Sequence, residues 1–154
     1  MVPVEGSAST GSPVEHDARE VRVAAYALCQ RDGRLLLVRA SALTEIAGWW
    51  FLPGGGLEFG EEPVDAVLRE LVEETGLRGS NPVLLGVLSD VRRRRSGRKV
   101  QTVRVVFSVS VPGGDLVSEM HGTSDEARWV PLGELEHYDL APYVVRAIDD
   151  YAEK

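Results

Sequence analysis

Cysteine is almost missing from this chain: Cys29 is the only one in 154 residues, so no disulfide can form within it. Placed at the end of the apolar run Val23 to Leu28, its thiol reads as a small core residue, in keeping with a reducing, cytoplasmic setting. Long apolar runs are missing too. None approaches the roughly 20 residues that a membrane-spanning helix needs, and Met1 to Glu20 lacks the apolar core of an export signal, so no membrane partner is expected. Positive charge is in deficit. With 17 basic against 24 acidic residues the net charge is −7, which argues against general nucleic-acid binding. His16, His121 and His137 show no metal-ligand spacing.

What is present is globular: 44% hydrophobic and 27% charged residues, in a length suited to one domain. Residues 1–20 carry few large apolar side chains and are expected to be a flexible tail, leaving 21–154 as the domain. Val21 to Gln30 and Arg34 to Arg39 flank Asp32-Gly33, which predicts an antiparallel hairpin. Val83 to Val91 and Val100 to Val111 predict a second strand pair around a basic loop, and Ala127 to Val130 a short strand. Pro142 to Tyr151 has helical spacing of apolar residues. Strands and two helices in this order predict an α/β protein of α+β type, with a mixed sheet sandwiched between helices. The terminal helix and the strand edges are compatible with a homodimer.

The most informative segment begins at Leu52-Pro53-Gly54-Gly55-Gly56. Pro63 suits the first position of a helix and Gly76 the residue that stops it. At 100° per residue Val64, Val67, Leu68, Leu71 and Val72 share one arc, with Glu70, Glu73 and Glu74 opposite. Ala66, one turn before Glu70, is expected to leave that face open to a ligand. Glu70 and Glu74 repel at i,i+4, and acids in a last turn oppose the helix dipole. Arg69 can pair with Glu73 and Asp65, which leaves Glu70 and Glu74 without a helical partner. A hard divalent cation such as Mg²⁺ would supply the missing charge; the ordinary alternative is a solvated acidic face.

Gly55, five residues, Glu61, seven residues, then Arg69-Glu70-Leu71-Val72-Glu73-Glu74-Thr75-Gly76-Leu77 resembles the Nudix box of the MutT-like Nudix hydrolases at every fixed position. So many specified residues over 23 positions make a strong motif. Trp50, Leu52, Pro53 and Gly54 before it, and Glu126 to Leu135 after it, extend the likeness. The resemblance implies a Nudix-like α/β/α sandwich and a Mg²⁺-dependent pyrophosphohydrolase, with Mn²⁺ as a substitute. It implies that Glu70, Glu73, Glu74 and the Gly54 carbonyl hold metal, that Arg69 orients the glutamates, and that Glu61 pairs with that arginine. Glu70, Glu73 and Arg69 are thus the catalytic candidates. A later acid, Glu119, Glu126 or Glu134, could act as general base, with Glu126 chosen for its spacing from Trp129.

The substrate expected is a small nucleoside diphosphate derivative, foremost a (d)NTP cleaved to (d)NMP and pyrophosphate. ADP-ribose or sugar-nucleotide hydrolysis, RNA 5′ pyrophosphohydrolysis and a non-catalytic nucleotide sensor stay open as alternatives. Six of the 17 basic residues, Arg92 to Arg95, Arg98 and Lys99, crowd one loop. Arg92 and Arg94 are candidate phosphate ligands, for a free nucleotide or an RNA 5′ end alike, although charged hairpin loops are often simply solvated. Trp49, Trp50 and Phe51 could stack a base, although packing is the commoner purpose at the Trp50 position beside the glycine loop.

Overall fold

The computed structural model describes residues 18–119 and 121–154. Strand β1 (Arg19–Leu28) runs into β2 (Gln30–Arg31) and, past a turn, β3 (Arg34–Ala40). Short strands β4 (Trp50–Phe51) and β5 (Gly54–Gly56) lead to helix α1 (Pro63–Thr75). A long hairpin, β6 (Ser80–Arg93) and β7 (Lys99–Ser110), precedes β8 (Ser124–Pro131), a 3₁₀ helix (Leu132–His137) and helix α2 (Pro142–Tyr151). Arg19 and Glu20, set aside with the tail by composition, are strand residues that pair with Lys99 and Val100, and the Ala18 carbonyl accepts the Lys99 N–H at 3.0 Å; residues 1–17 lie outside the described residues.

The single mixed sheet expected between the helices is divided in two. One sheet has the order β5-β1-β7-β6, with β1 and β7 parallel and the other pairs antiparallel. In the other, β3 is flanked along one edge by β8 and at the two ends of its other edge by β2 and β4. The layering is as expected. Ala24, Tyr26 and Leu28 of β1 face a core shared with α2, while Ala25, Ala27 and Cys29 face a core shared with α1. Burial on both faces is why this strand reads as an almost unbroken apolar run.

The first hairpin is shorter than its sequence pattern. Only Gln30 and Arg31 pair with β3, because the chain breaks at Cys29 and β1 turns to β7 instead. Asp32 and Gly33 both take positive φ, 51° and 71°, as a two-residue hairpin turn requires. Helix α1 has the predicted bounds. Gly76 ends it at φ 73° with its N–H donating to the Val72 carbonyl, and Thr75 Oγ1 donates to the Leu71 carbonyl at 2.6 Å. Its rotation differs from the sequence reading: Val72 is 44% exposed, whereas Ala66 is fully buried and does not open the acidic face. The row Ala66, Glu70, Glu74 lies along the seam with β5 and β1, so the small residue permits close approach of backbone rather than of ligand.

Candidate active site: a carboxylate seam beside an arginine-lined cleft

Three glycines in a row have poor strand propensity, yet Gly54 to Gly56 pair with Tyr26 to Ala24 because side chains would not fit there. A Cβ on Gly54 would stand 2.2 Å from the Ala25 carbonyl oxygen, and one on Gly55 would stand 2.7 Å from Glu70 Oε1. The glycine strand therefore lets α1 bring its carboxylates against backbone. Glu74, only 4% exposed, accepts the Gly54 N–H at 2.7 Å. Burial pushes its carboxyl well above the usual range against that hydrogen bond, and the charges of Glu70, Glu119 and Glu73 push the same way. Glu70 is half-buried and also raised, first by burial, with Arg69 opposing. Glu73 is the open member of the trio, its side chain 48% exposed.

Arg69 organises this face. Its Nε and Nη2 meet Glu61 Oε2 and Oε1 at 2.8 and 2.9 Å, a bidentate pair, and Nη1 reaches Glu70 at 3.1 Å and Glu73 at 3.3 Å. The Arg69 bond holds the Glu61 carboxyl down at about 2, helped by the Glu58 N–H. Asp65, the other expected partner of Arg69, makes no such pair; Glu61 takes its place. Among the described residues no three acid, thiol or imidazole groups are drawn into a closed ligand set, Glu70 and Glu73 being held by Arg69 instead. A buried acid crowded by like charges fits a hard cation that takes few protein ligands and keeps its waters.

The seam opens into a cleft of two adjoining lobes. The first, about 500 Å³, contains Gly54 to Gly56, Glu70 and Glu74. The second, about 370 Å³, is walled by Trp49, Phe51, Val91, Val100, Arg104 and Tyr143 among others. Arg22, Arg92 and Arg94 line both lobes, so three guanidiniums stand where they join. Arg94 Nε is buried without a hydrogen-bond partner among the described residues. Arg92 approaches Glu45 at 3.7 Å, and Glu45 also accepts the Arg95 N–H at 3.3 Å, joining the basic hairpin to the loop before β4.

Four candidates line neither lobe: Arg69 and Glu73, on the carboxylate face beside the cleft, and Trp50 and Glu126, which lie farther off. Trp50 is 7% exposed in the α2 core, with its ring 5.2 Å from Tyr138; its neighbours Trp49 and Phe51 line the cleft with Tyr26 and Tyr143, since alternation in a strand sends adjacent side chains opposite ways. Glu126, opposite Arg39 across the β3–β8 pair, is engaged by Arg39 at 3.2 Å and by Arg128. Glu119 is the later acid whose charge reaches Glu70 and Glu74; its carboxylate accepts from Ser124 Oγ at 3.0 Å. Sequence reasoning also missed Arg22, Arg104 and Tyr143. For the two arginines a signal existed in the strand alternation: Arg22 shares a face with the buried Ala24 and Tyr26, and Arg104 with the buried Val100, Thr102 and Val106.

A NUDIX domain matches residues 18–151. The chain belongs to the Nudix family, whose hydrolases act on phosphoanhydride bonds and use divalent metal ions. Over 118 residues it is 35% identical to an ADP-ribose pyrophosphatase of Methanocaldococcus jannaschii, covering 77% of this chain and 62% of that protein. It is 33% identical over 120 residues to a MutT-like protein of Streptomyces ambofaciens, 78% and 70% of the two chains. The chain thus spans about two thirds of the length of these curated relatives. The crystal structure of a MutT NUDIX hydrolase from Burkholderia pseudomallei superposes with a TM-score of 0.73 at 28% identity, covering 85% of this chain and 98% of that one.

Proposed function

We propose that this chain is a Mg²⁺-dependent pyrophosphohydrolase of small nucleotides, cleaving a (d)NTP to a (d)NMP and pyrophosphate. The observation that carries this reading is the cleft itself: buried, like-charged acids in one lobe, an aromatic lobe beside it, and Arg22, Arg92 and Arg94 between. Glu70, Glu73 and Glu74, with the Gly54 carbonyl, would hold the cation. Bound there, it would neutralise diphosphate charge and acidify the attacking water.

The chain's own residues do the rest. The Gly54 N–H fixes the Glu74 carboxylate, and Arg69, itself fixed by Glu61, holds Glu70 and Glu73 in place. Arg22, Arg92 and Arg94 bind the phosphate chain as it crosses from one lobe to the other. Trp49 or Phe51 stacks the base. Water bonds to phosphorus, the bridging P–O bond breaks, and the proton passes to a carboxylate. We assign that role to Glu119, whose carboxylate is held by Ser124 of the acidic lobe wall, while Glu126 is committed to Arg39 and Arg128.

Incubating the protein with NTPs, dNTPs, ADP-ribose, nucleotide sugars and a 5′-triphosphorylated RNA in Mg²⁺ or Mn²⁺, and identifying products, tests this. Monophosphate and pyrophosphate from triphosphates support it; turnover confined to ADP-ribose, sugar nucleotides or RNA would overturn it. The RNA reading rests on one observation of its own, that Arg93, Arg95 and Arg98 lie exposed beyond the cleft.

A further inference from the structure

The aromatic lobe has one polar feature that phosphate binding does not require. Arg104, on β7, and Asp90, on β6, line it together with Val91 and Val100. Arg104 Nη1 stands 2.7 Å from Asp90 Oδ2, and the two residues are diagonal neighbours, since Leu88 pairs with Arg104 and Asp90 with Thr102. The guanidinium lies over the Tyr143 ring at 4.1 Å and near the Tyr26 ring at 5.8 Å. Tyr143 is itself fixed, its Oη accepting the Leu52 N–H at 3.2 Å. This pair is therefore held rigidly from behind, as a recognition element needs to be.

Its hydrogen-bonding capacity is only partly used. A guanidinium has five donors and a carboxylate about four acceptor sites. Arg104 Nε and Nη1 are shut away from solvent, so Nη2 is the donor it can present to the lobe, and Asp90 retains a side chain 36% exposed. Going along the pair, the lobe wall thus offers two carboxylate oxygens and then a cationic donor. The complementary ligand edge carries two adjacent N–H donors followed by a carbonyl oxygen. Among the common bases only guanine has that order, in its N2–H, N1–H and O6 groups. Adenine places an acceptor where guanine has N1–H, and cytosine and uracil each lack one of the paired donors.

We propose that Asp90 and Arg104 read the Watson–Crick edge of guanine, making this chain selective for guanine nucleotides. The proposal rests on the aromatic lobe holding the base, as in the proposed function. The lobe volume of about 370 Å³ falls within the roughly 300–1,000 Å³ of small-molecule sites.

The test has a binding arm and a turnover arm. Titrating the wild-type protein with GMP, IMP, XMP and AMP should give GMP the tightest binding, by about 10- to 100-fold over AMP. IMP, lacking one donor, should fall between, and XMP, with a carbonyl facing the carboxylate, should bind poorly. In the turnover arm the ratio of kcat/KM for GTP over ATP should collapse toward one in Asp90→Asn, with the change carried by KM. A wild-type protein that binds GMP and AMP alike, or an Asp90→Asn variant with the ratio unchanged, would overturn the proposal. Absence of hydrolysis with every substrate would instead overturn the proposed function, and the titration of the unaltered protein would still decide this one.

Discussion

Shutting a carboxylate away from water beside Glu70 and Glu119 favours its protonated form, which is the condition of Glu74. Its folded-state pKa lies above the unfolded value. Without a cation, the folded state therefore loses stability as pH rises from the unfolded carboxylate value up to the folded one. Glu74→Gln keeps an acceptor for the Gly54 N–H and removes the charge, so at neutral pH in chelator it should melt a few degrees above the wild type. It should also lose the rise in melting temperature that Mg²⁺ gives the wild type, and calorimetry with and without Mg²⁺ reads both. Glu61 has the opposite sign. Its carboxyl is held at about 2, so its bond with Arg69 contributes stability above the unfolded value that is lost as pH falls through the folded one. Glu61→Gln should accordingly melt below the wild type at pH 7, with the gap closing between about pH 4.5 and pH 2. A gap constant with pH would refute the ionic character of that bond.

Along α1, the arrangement of apolar residues misled about rotation. Pro63 and Gly76 made the helix bounds legible, because ring closure and left-handed φ are properties of single residues. The buried face was less legible: Val72 belongs to the apolar arc but faces out, and Ala66 is small because β5 passes close to it. Leu71→Ala should cost about 2–5 kcal/mol of stability, whereas Val72→Ala should be nearly silent. Urea denaturation of the two variants measures this. Strand β5 was illegible for a related reason. Its glycines are there for what their missing side chains admit, and a propensity argument weighs only the side chains present. Gly55→Ala would push into the flexible end of Glu70, so the fold should persist while turnover falls about 10- to 100-fold. Normal turnover by this variant would show that the Glu70 position is unimportant.

Taken whole, the molecule assembles its cleft from segments far apart in sequence, and that assembly is what the residue pattern withheld. The motif placed Glu70, Glu73 and Glu74 on one helix, and its geometry with Arg69 and Glu61 followed locally. Arg22, Tyr26, Arg104 and Tyr143 join them only because β1 lies parallel to β7 and α2 closes over the same face, and Glu119 because β8 pairs with β3. No local period signals such pairing. Likewise the choice of Trp49 and Phe51 over Trp50 depends on which face β4 turns to the cleft. The central claim, that a cation held by these glutamates drives pyrophosphate release, has a direct measurement: ³¹P NMR of a GTP incubation. In Mg²⁺ the wild type should yield GMP and pyrophosphate in equal amounts, and both chelator and Glu74→Gln should stop them. Release of orthophosphate, or undiminished turnover by Glu74→Gln, would contradict the account.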